Sequence, residues 1–258
     1  MPGPDLALLV DAARRAGKIA GRYWRSTHKS WDKPEGAGPV TEADLAVDKM
    51  LRQTLLEARP DYGWLSEESE DDPARLSARR VFIVDPIDGT RAFMAGETHF
   101  SHALAVVEDG RVIAGVVYLP MADKLYTAER GGGAYLNGAP IAASARTELD
   151  GARLIATSHA LAAAHWPHGI PTLDRHFRAS LAYRIACVAD GSFDATLTFR
   201  PCWEWDIAAG ALIAAEAGAV VTGPHGEALS FNAERPLSPG LLAAPPILHE
   251  AFLRKLGA

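Results

Sequence analysis

Three of the predicted helices lie in the first sixty residues and at the end of the chain. Apolar side chains recur at helical spacing over residues 5–24, and the basic residues fall largely on the opposite side, as in an amphipathic helix. A second helix is predicted from Thr41 to about Arg59, where leucines provide the face to be buried. Residues 246–256 predict a third helix at the end of the chain.

The pattern from Thr98 to Ile141 predicts β-structure, and two short strands are predicted before it. Residues 81–84 are four apolar residues, three of them β-branched, which favours a short buried strand. Residues 102–107 and 112–118 flank the sequence Glu-Asp-Gly-Arg and predict a hairpin. The same pattern indicates further strands at residues 64–66, 124–128 and 134–136.

The second half of the chain mixes strands and helices. Helices are predicted at residues 180–189 and from Trp203 to about Ala217, where Gly218 is a suitable terminator. The predicted strands are residues 154–158, 193–199 and 241–244. Residues 159–170 contain three histidines without the spacing of a zinc site, which favours a loop.

The chain changes character abruptly after the apolar run at residues 81–84. Asp85 and Asp88 follow in the sequence D-P-I-D-G-T, where Gly89 permits a tight turn and Thr90 is expected to cap a short helix. Two carboxylates this close repel each other unless a proton or a cation intervenes. Hard oxygen ligands suit Mg²⁺ or Mn²⁺, whereas the alternative is a turn in which both aspartates only accept backbone hydrogen bonds.

Four other acidic residues are ambiguous in the same way. Glu67 and Glu68 follow a short predicted strand, so that one could face the sheet edge, but a charge run is usually solvated. Asp44 has capping-box spacing from Thr41, and that structural role is the simpler interpretation. Asp206 lies in a predicted first helical turn, where the helix dipole alone favours a carboxylate.

Composition narrows the class of protein. The 258 residues are 48% hydrophobic and 22% charged, with a net charge of −6, which argues against a nucleic-acid polymer as partner. Only two cysteines occur, so neither a disulfide framework nor a zinc motif is expected. No signal peptide or membrane-length apolar stretch is recognisable, and we therefore expect a cytoplasmic protein without membrane contact.

Taken together, the acidic motifs resemble those of the inositol monophosphatase family of metal-dependent, lithium-sensitive phosphatases. The shared motifs are the two glutamates at residues 67–68, D-P-I-D-G-T at residues 85–90 and W-D-I-A-A-G at residues 205–210, in the same order. The resemblance covers almost the whole chain. It implies an α/β fold of layered αβαβα type in one catalytic domain, with most metal ligands in residues 1–145 and Asp206 in residues 146–258.

The resemblance also implies two to three Mg²⁺ ions, with Mn²⁺ as the alternative. One ion would be bound by Glu67, Asp85 and the carbonyl of Ile87, and another by Asp85, Asp88 and Asp206. Such ions neutralise the substrate phosphate and activate a water for attack. This chemistry needs no basic surface, in agreement with the acidic net charge.

The remaining site residues are carried over from the same motifs. Glu67 and Thr90 would orient and activate the attacking water, with Asp44 as a catalytic acidic residue near the metals. Glu68 would be a neighbouring carboxylate, and Lys33, in a loop at residues 31–39 that we expect to be mobile, a lysine near the site. The substrate contacts implied are Asp88, Gly89, Thr90, Ser180, Arg184 and Asp206.

The substrate is less clearly indicated. Family members that prefer inositol phosphates carry a glutamate before the W-D motif, whereas residues 197–201 contain no acid. Glu204 completes an E-W-D triplet similar to that of 3'(2'),5'-bisphosphate nucleotidases, and Arg184 could meet a second phosphate, although a solvent-facing arginine is the simpler interpretation. We therefore favour 3'-phosphoadenosine 5'-phosphate over inositol 1-phosphate. The T-R-A-F sequence at residues 90–93 makes histidinol phosphate a third alternative.

Two further expectations complete the analysis. The family resemblance implies a homodimer acting on a small phosphorylated metabolite. A pseudoenzyme that only binds metal or phosphate is the non-catalytic alternative, and it would be expected to have lost Glu67, Thr90 or one of the aspartates, all of which are present.

Overall fold

The computed structural model describes residues 3–33 and 38–258. Helices α1 (Pro4–Tyr23) and α2 (Glu42–Ala58) pack against each other and form the first layer. The predicted capping box of α2 is present, since the backbone N–H of Thr41 donates to Asp44 Oδ2 at 2.8 Å and Thr41 Oγ1 accepts from the backbone of Ala43 at 3.1 Å.

The segment predicted as a loop at residues 31–39 is partly a hairpin. Strand β1 (Ser30–Asp32) pairs antiparallel with β2 (Pro39–Thr41). The prediction of a loop is therefore wrong for the ends of this segment. Residues 34–37 lie outside the described residues, and the expected mobility stays a prediction.

A seven-stranded sheet forms the second layer, and its strands follow the order of the chain. The strands are β3 (Gly63–Ser66), β4 (Arg80–Asp88), β5 (Ser101–Glu108), β6 (Arg111–Leu119), β7 (Lys124–Glu129), β8 (Ala134–Leu136) and β9 (Ala139–Pro140). Only the β3–β4 pair is parallel. Because β3 and β4 end at the same edge, Glu67, which follows β3, and the two aspartates in the last residues of β4 are brought together there.

Helices α4 (Leu181–Ala189) and α5 (Glu204–Glu216) form the third layer, on the other face of this sheet. Two glycines allow the close packing. A Cβ atom at Gly210 would lie 2.9 Å from the Cβ of Ile185 in α4, and one at Gly115 in β6 would lie 3.0 Å from the carbonyl oxygen of Ala209. The A-A-G of the W-D motif is thus explained by packing.

A smaller sheet and the last helix complete the layers. Strands β12 (Thr196–Thr198), β16 (Leu241–Ala244) and β14 (Val220–Thr222) are antiparallel in that order, and α6 (Pro246–Leu256) packs outside them. A single bridge between Leu154 and Ala195 joins β12 to the parallel pair β10 (Ala152–Ile155) and β11 (Leu173–His176). Strands β13 (Cys202–Trp203) and β15 (Leu237–Ser238) pair separately.

The layers confirm the predicted αβαβα arrangement, with local differences at element ends. The predicted strand at residues 193–199 is limited to β12, and the histidine-containing segment holds two short 3₁₀ turns, Ser158–Leu161 and Ala163–His165. Within residues 3–33 and 38–258, we find no helix with the length and hydropathy needed to cross a bilayer.

Candidate active site

The D-P-I-D-G-T turn interrupts the regular pairing of β4 with β5 between its two aspartates. Asp85 pairs with Ala103 and Asp88 with Ser101, so two residues of β4 lie opposite the single residue His102 of β5. This bulge aims both aspartates at the same side of the sheet edge. Gly89 follows with a φ of 95°, a left-handed conformation that glycine adopts without strain.

The cap of the short helix α3 (Thr90–Met94) differs from the prediction. Thr90 is the first helical residue, and the position before it is Gly89, which has no side chain to cap. The expectation that Thr90 caps α3 is therefore wrong. Its hydroxyl instead lies 3.2 Å from Asp44 Oδ1 and 3.2 Å from the carbonyl oxygen of Ile87, so Thr90 faces the acidic cluster.

Three aspartates converge at this edge. Asp85, Asp88 and Asp206 each offer a carboxylate oxygen, and these oxygens all lie within 4.8 Å of one another. The three side chains line a cavity of about 410 Å³ together with Glu67, Ile87, Gly89 and Thr90. Residues that are up to 121 positions apart in the chain (85 and 206) thus share one site.

Asp85 is the least satisfied of the three carboxylates. Its side chain is 1% exposed, and its Oδ1 atom is buried without a hydrogen-bond partner. Burial, followed by the charges of Glu67 and Asp88, raises the pKa of Asp85 well above its ordinary value. A buried acceptor left without a donor is unfavourable, which is the condition that a bound cation would relieve.

Asp88 is held from behind by the N-terminus of α4. Ser180 Oγ donates to Asp88 Oδ2 at 2.6 Å, and the backbone N–H of Ala182 donates to the same oxygen at 2.7 Å. Burial still raises the pKa of Asp88 to about 6, against the effect of these bonds. The free oxygen of Asp88 is consequently directed at the cavity.

Ser180 and Arg184 were expected to contact substrate, but the structure places both behind Asp88. Ser180 is fully buried and caps α4 by accepting from the backbone N–H of Tyr183 at 2.9 Å. Arg184 is 7% exposed, so the interpretation as a solvent-facing residue is wrong. Its Nη1 is buried without a partner, and burial lowers its pKa while the charges of Asp88 and Asp206 raise it. Neither residue lines the cavity; both support the aspartates.

Asp206 enters from the first turn of α5. Its Oδ2 accepts from the backbone N–H of Trp203 at 3.0 Å, which is the structural role that the sequence also allowed. Burial and the charges of Asp88 and Glu67 raise the pKa of Asp206 well above its ordinary value. The same carboxylate therefore closes the helix end and belongs to the acidic cluster.

Glu67 lies at the rim of the cluster with its own cation. Its backbone N–H donates to the carbonyl of Val84 at 3.3 Å, which extends the β3–β4 pairing and brings Glu67 level with Asp85. Lys33 Nζ lies 2.7 Å from Glu67 Oε1 and 2.7 Å from Glu68 Oε1. Burial raises the pKa of Glu68 to about 7, although the Lys33 hydrogen bond opposes this. The predicted neighbourhood of Lys33 and both glutamates is thus observed.

Asp44 combines both of the roles considered for it. It closes the capping box of α2 and also holds the Thr90 hydroxyl through its other oxygen. It is fully buried, and burial raises its pKa against the hydrogen bonds from Thr41. Asp44 therefore links the start of α2 to the start of α3 beneath the cavity.

Glu204 lies away from the cavity. Its carboxylate accepts from the backbone N–H groups of Asn232 and Ala233, at 2.5 and 3.0 Å. Residues two apart in a helix do not face each other, so Glu204 and Asp206 point in different directions. The buried Arg75 donates to Asn232 Oδ1 at 2.7 Å and secures the same loop. Glu204 anchors a loop in this structure.

Three charged or aromatic cavity residues were not identified from the sequence. Arg91, Glu97 and the half-exposed Phe177 line the wall beyond the aspartates. Arg91 could have been predicted from the sequence, because the helical turn that follows the D-P-I-D-G-T sequence must begin beside the site. Phe177 gave no signal of its own, although it lies only three positions before Ser180, because its segment has no regular pattern.

The donor set fits a hard divalent cation. It consists of carboxylate oxygens and includes the unpartnered Asp85 Oδ1, and Ile87, whose carbonyl accepts from Thr90 Oγ1 at 3.2 Å, lines the same cavity. Oxygen donors of this kind are typical of Mg²⁺ and Mn²⁺ sites. No cationic side chain has to be displaced from the three aspartates for an ion to bind, whereas Glu67 is already paired with Lys33.

Comparison with known proteins agrees with this site. A family model described as the inositol monophosphatase family matches residues 3–258. An inositol-1-monophosphatase from Rhizobium meliloti (strain 1021) is 35% identical over 232 residues, which cover 86% of each chain. A histidinol-phosphatase from Chlorobaculum parvum is 36% identical over 155 residues, which cover 60% of this chain and 59% of that protein.

A solved structure supports the same assignment. An IMPase from Thermotoga maritima superposes with a TM-score of 0.86 at 28% identity, over 99% of this chain and 97% of that one. The predicted fold and the predicted enzyme class are therefore confirmed, and the pseudoenzyme alternative is set aside. The chain belongs to the inositol monophosphatase family and is a phosphoric monoester hydrolase.

Proposed function

We propose that this phosphatase uses Mg²⁺ to hydrolyse a small phosphorylated metabolite, with 3'-phosphoadenosine 5'-phosphate as the favoured substrate. The observation that supports the reaction is the convergence of Asp85, Asp88 and Asp206 within 4.8 Å at the floor of the cavity. We assign the ion-binding role to these aspartates, to Glu67 and to the Ile87 carbonyl. When bound, Mg²⁺ neutralises the phosphate and lowers the pKa of a coordinated water.

The residues of the chain provide the positioning for this reaction. The amides of Gly89 and Thr90 stand at the cavity wall, where they can donate to phosphate oxygens. Thr90 and Glu67 line the same cavity, and a water between them could give its proton to the Glu67 carboxylate. Asp44 accepts from the Thr90 hydroxyl at 3.2 Å and fixes its direction.

The choice of substrate depends on the residues of the cavity wall other than the aspartates. No acid is present among residues 197–201 to bind sugar hydroxyls. Phe177 is instead 50% exposed, with its ring centroid 5.8 Å from the guanidinium carbon of Arg184, and Arg91 offers a positive charge in the same cavity. An aromatic face suits stacking on a nucleobase, and a guanidinium suits a second phosphate. Glu204 no longer contributes to this argument, because it faces a loop.

Two other substrates have specific support. Inositol 1-phosphate is favoured by the relative named inositol-1-monophosphatase, which is similar over 86% of this chain. Histidinol phosphate is favoured by Glu97, a carboxylate in the cavity wall that could pair with an ammonium group, and by the histidinol-phosphatase relative. The three candidate substrates require different groups in the cavity wall. The nucleotide requires aromatic stacking, inositol 1-phosphate requires groups that bind hydroxyls, and histidinol phosphate requires an anion.

The experiment is phosphate release with Mg²⁺ from these three substrates, each with and without Li⁺, for the wild type and for F177A, R91Q and E97Q. We expect 3'-phosphoadenosine 5'-phosphate to give the highest kcat/KM, with KM raised about tenfold in F177A, as for the loss of one base–aromatic stack. E97Q should leave that KM unchanged. A higher kcat/KM for inositol 1-phosphate or for histidinol phosphate would replace the favoured substrate, and in the second case E97Q should lower the value for histidinol phosphate.

A further inference from the structure

His102 lies directly beneath the turn that carries the aspartates. It is fully buried in β5, opposite the bulge, where Pro86 and Ile87 face it across the β4–β5 pair. Its Nδ1 lies 2.5 Å from the carbonyl oxygen of Pro86. Because a carbonyl can only accept, the Nδ1 atom must carry the hydrogen.

The other ring nitrogen, Nε2, is in an unfavourable environment. His102 Nε2 is buried without a hydrogen-bond partner. Burial lowers the pKa of His102 to about 4, so the ring is neutral and Nε2 is an acceptor without a donor. The ring is held edge-on to Phe100, with centroids 6.1 Å apart, and lies 6.3 Å from Tyr118. An apolar residue would avoid the unsatisfied nitrogen, so packing alone does not account for a histidine here.

The Pro86 carbonyl lies between the first two proposed metal ligands of the turn. Pro86 has no N–H, and the bulge removes regular pairing between Asp85 and Asp88. Without a partner, the peptide unit between Pro86 and Ile87 could rotate, and this would change the backbone direction at the two residues that flank it, Asp85 on one side and Ile87, which lines the cavity, on the other. The His102 bond fixes this peptide unit.

We propose that His102 is a positioning residue for the metal site, which acts by holding the Pro86 carbonyl through its Nδ1–H group so that Asp85, Ile87 and Asp88 face the cavity. The proposal rests on the metal-binding role proposed above. It assigns to a buried histidine outside the acidic motifs the task of setting the turn.

Three substitutions separate the hydrogen bond from packing. H102N places an amide near the position of Nδ1 and can keep the bond, H102Q places its amide near the position of Nε2, and H102F keeps only ring volume. Mg²⁺ and Mn²⁺ affinities are measured by calorimetry on folded protein without substrate. We expect H102Q and H102F to weaken binding about tenfold or more, as for other groups that orient metal ligands, and H102N by less than about threefold.

A second buried histidine provides the control. His249 in the outer helix α6 is 4% exposed, and its Nε2 lies 2.8 Å from Thr222 Oγ1. H249N, whose amide lies near the position of Nδ1 and cannot keep the Nε2 bond, should lower thermal stability without changing metal affinity. Wild-type metal affinity in H102Q, or equal losses in H102N and H102Q, would overturn the proposal.

A measurement on the wild type does not depend on the folding of any variant. Imidazole ¹⁵N spectra of the wild type should show the His102 Nδ1–H tautomer with and without Mg²⁺, and an Nε2–H tautomer would also overturn the proposal. Failure of the substrate panel with normal metal binding would affect only the proposed function.

Discussion

At the rim and at the floor of the site, the negative charge of the carboxylates is balanced in different ways. At the rim, Glu67 and Glu68 share Lys33, whose Nζ lies 2.7 Å from each carboxylate. At the floor, Asp88 and Asp206 are held by neutral donors (Ser180 Oγ and backbone N–H groups), and one oxygen of Asp85 has no partner. The carboxylates of the rim therefore have a counter-ion within the protein. The carboxylates of the floor are stabilised by dipoles, and their negative charge is not fully balanced.

This difference indicates where an external cation is needed. Carboxylates buried without a cation raise one another's pKa, and this is the direction found for Asp85 and Asp206. Arg184 lies behind them, but its Nε donates to the Ser180 carbonyl at 3.4 Å, and its Nη1 has no partner. The carboxylates of the floor therefore lower the stability of the folded protein, and binding of a cation would raise it again.

The largest effect is expected from removing the charge of Asp85. D85N should reduce Mg²⁺-dependent phosphate release to the background rate, because the floor loses the ligand with the free oxygen. In EDTA the same substitution should raise Tm, by roughly 2–4 °C for each kcal/mol of repulsion removed. Activity and differential scanning fluorimetry check the two expectations.

Asp194 offers a matched control for D85N. It is 3% exposed, but it has its own cation, since Arg153 Nη2 lies 2.9 Å from Asp194 Oδ1. D194N should lower Tm in EDTA and leave Mg²⁺-dependent activity in place. A lower Tm in both variants would contradict the contrast between paired and unpaired carboxylates.

A second effect is expected on the pH dependence of stability without metal. The pKa of Asp88 is raised to about 6 and that of Glu68 to about 7, both mainly by burial. The folded state therefore binds protons more tightly than the unfolded state, whose carboxyl groups have pKa values of about 4. The stabilisation is present at low pH and is lost as the pH rises through about 6 to 7.

The size of this effect follows from the shift of Asp88. One unit of pKa is worth about 1.4 kcal/mol, so Asp88 contributes on the order of 2–3 kcal/mol. Between pH 5 and pH 8 about 1.4 kcal/mol of this is lost, because pH 5 lies above the unfolded pKa, so Tm in EDTA should fall by roughly 3–6 °C. Saturating Mg²⁺ should reduce this fall, and parallel curves with and without Mg²⁺ would show that these carboxylates do not bind the ion.

The sequence predicted the features that depend on neighbouring residues. The D-P-I-D-G-T turn, the capping box of Thr41 and Asp44 and the hairpin at Glu108–Arg111 are each specified within a few positions, and each is observed. The layer order followed from the family resemblance. These local rules are strong because the residues concerned share one turn of helix or one strand end.

The sequence did not predict contacts that depend on distant segments. Ser180 and Arg184 are 92 and more positions from Asp88, and their place behind it depends on how α4 packs on the sheet. Glu204 was misleading because it adjoins the W-D motif but occupies another side of the helix. His102 was placed correctly in a strand, but the bulge that gives it a partner is a property of the paired strands.

The smallest effect is expected at the rim, where the substitution K33M removes the internal counter-ion. Burial lowers the pKa of Lys33, but the two glutamates more than offset this and raise it, so the lysine is charged at neutral pH. Without Lys33, the pKa of Glu68 should rise further, because the Lys33 bond now opposes the effect of burial. Glu68 would then be protonated at neutral pH, and Glu67 would be free of its cation.

For K33M we expect kcat/KM to fall about tenfold, with the acid limb of its pH profile moved to higher pH. K33R, which keeps the charge, should retain the wild-type profile. Mg²⁺ affinity should change far less than in D85N, because Lys33 is paired with Glu67 and Glu68 and leaves the three aspartates untouched. If K33M loses as much Mg²⁺ affinity as D85N, the rim and the floor form one electrostatic unit, and the division between them is wrong.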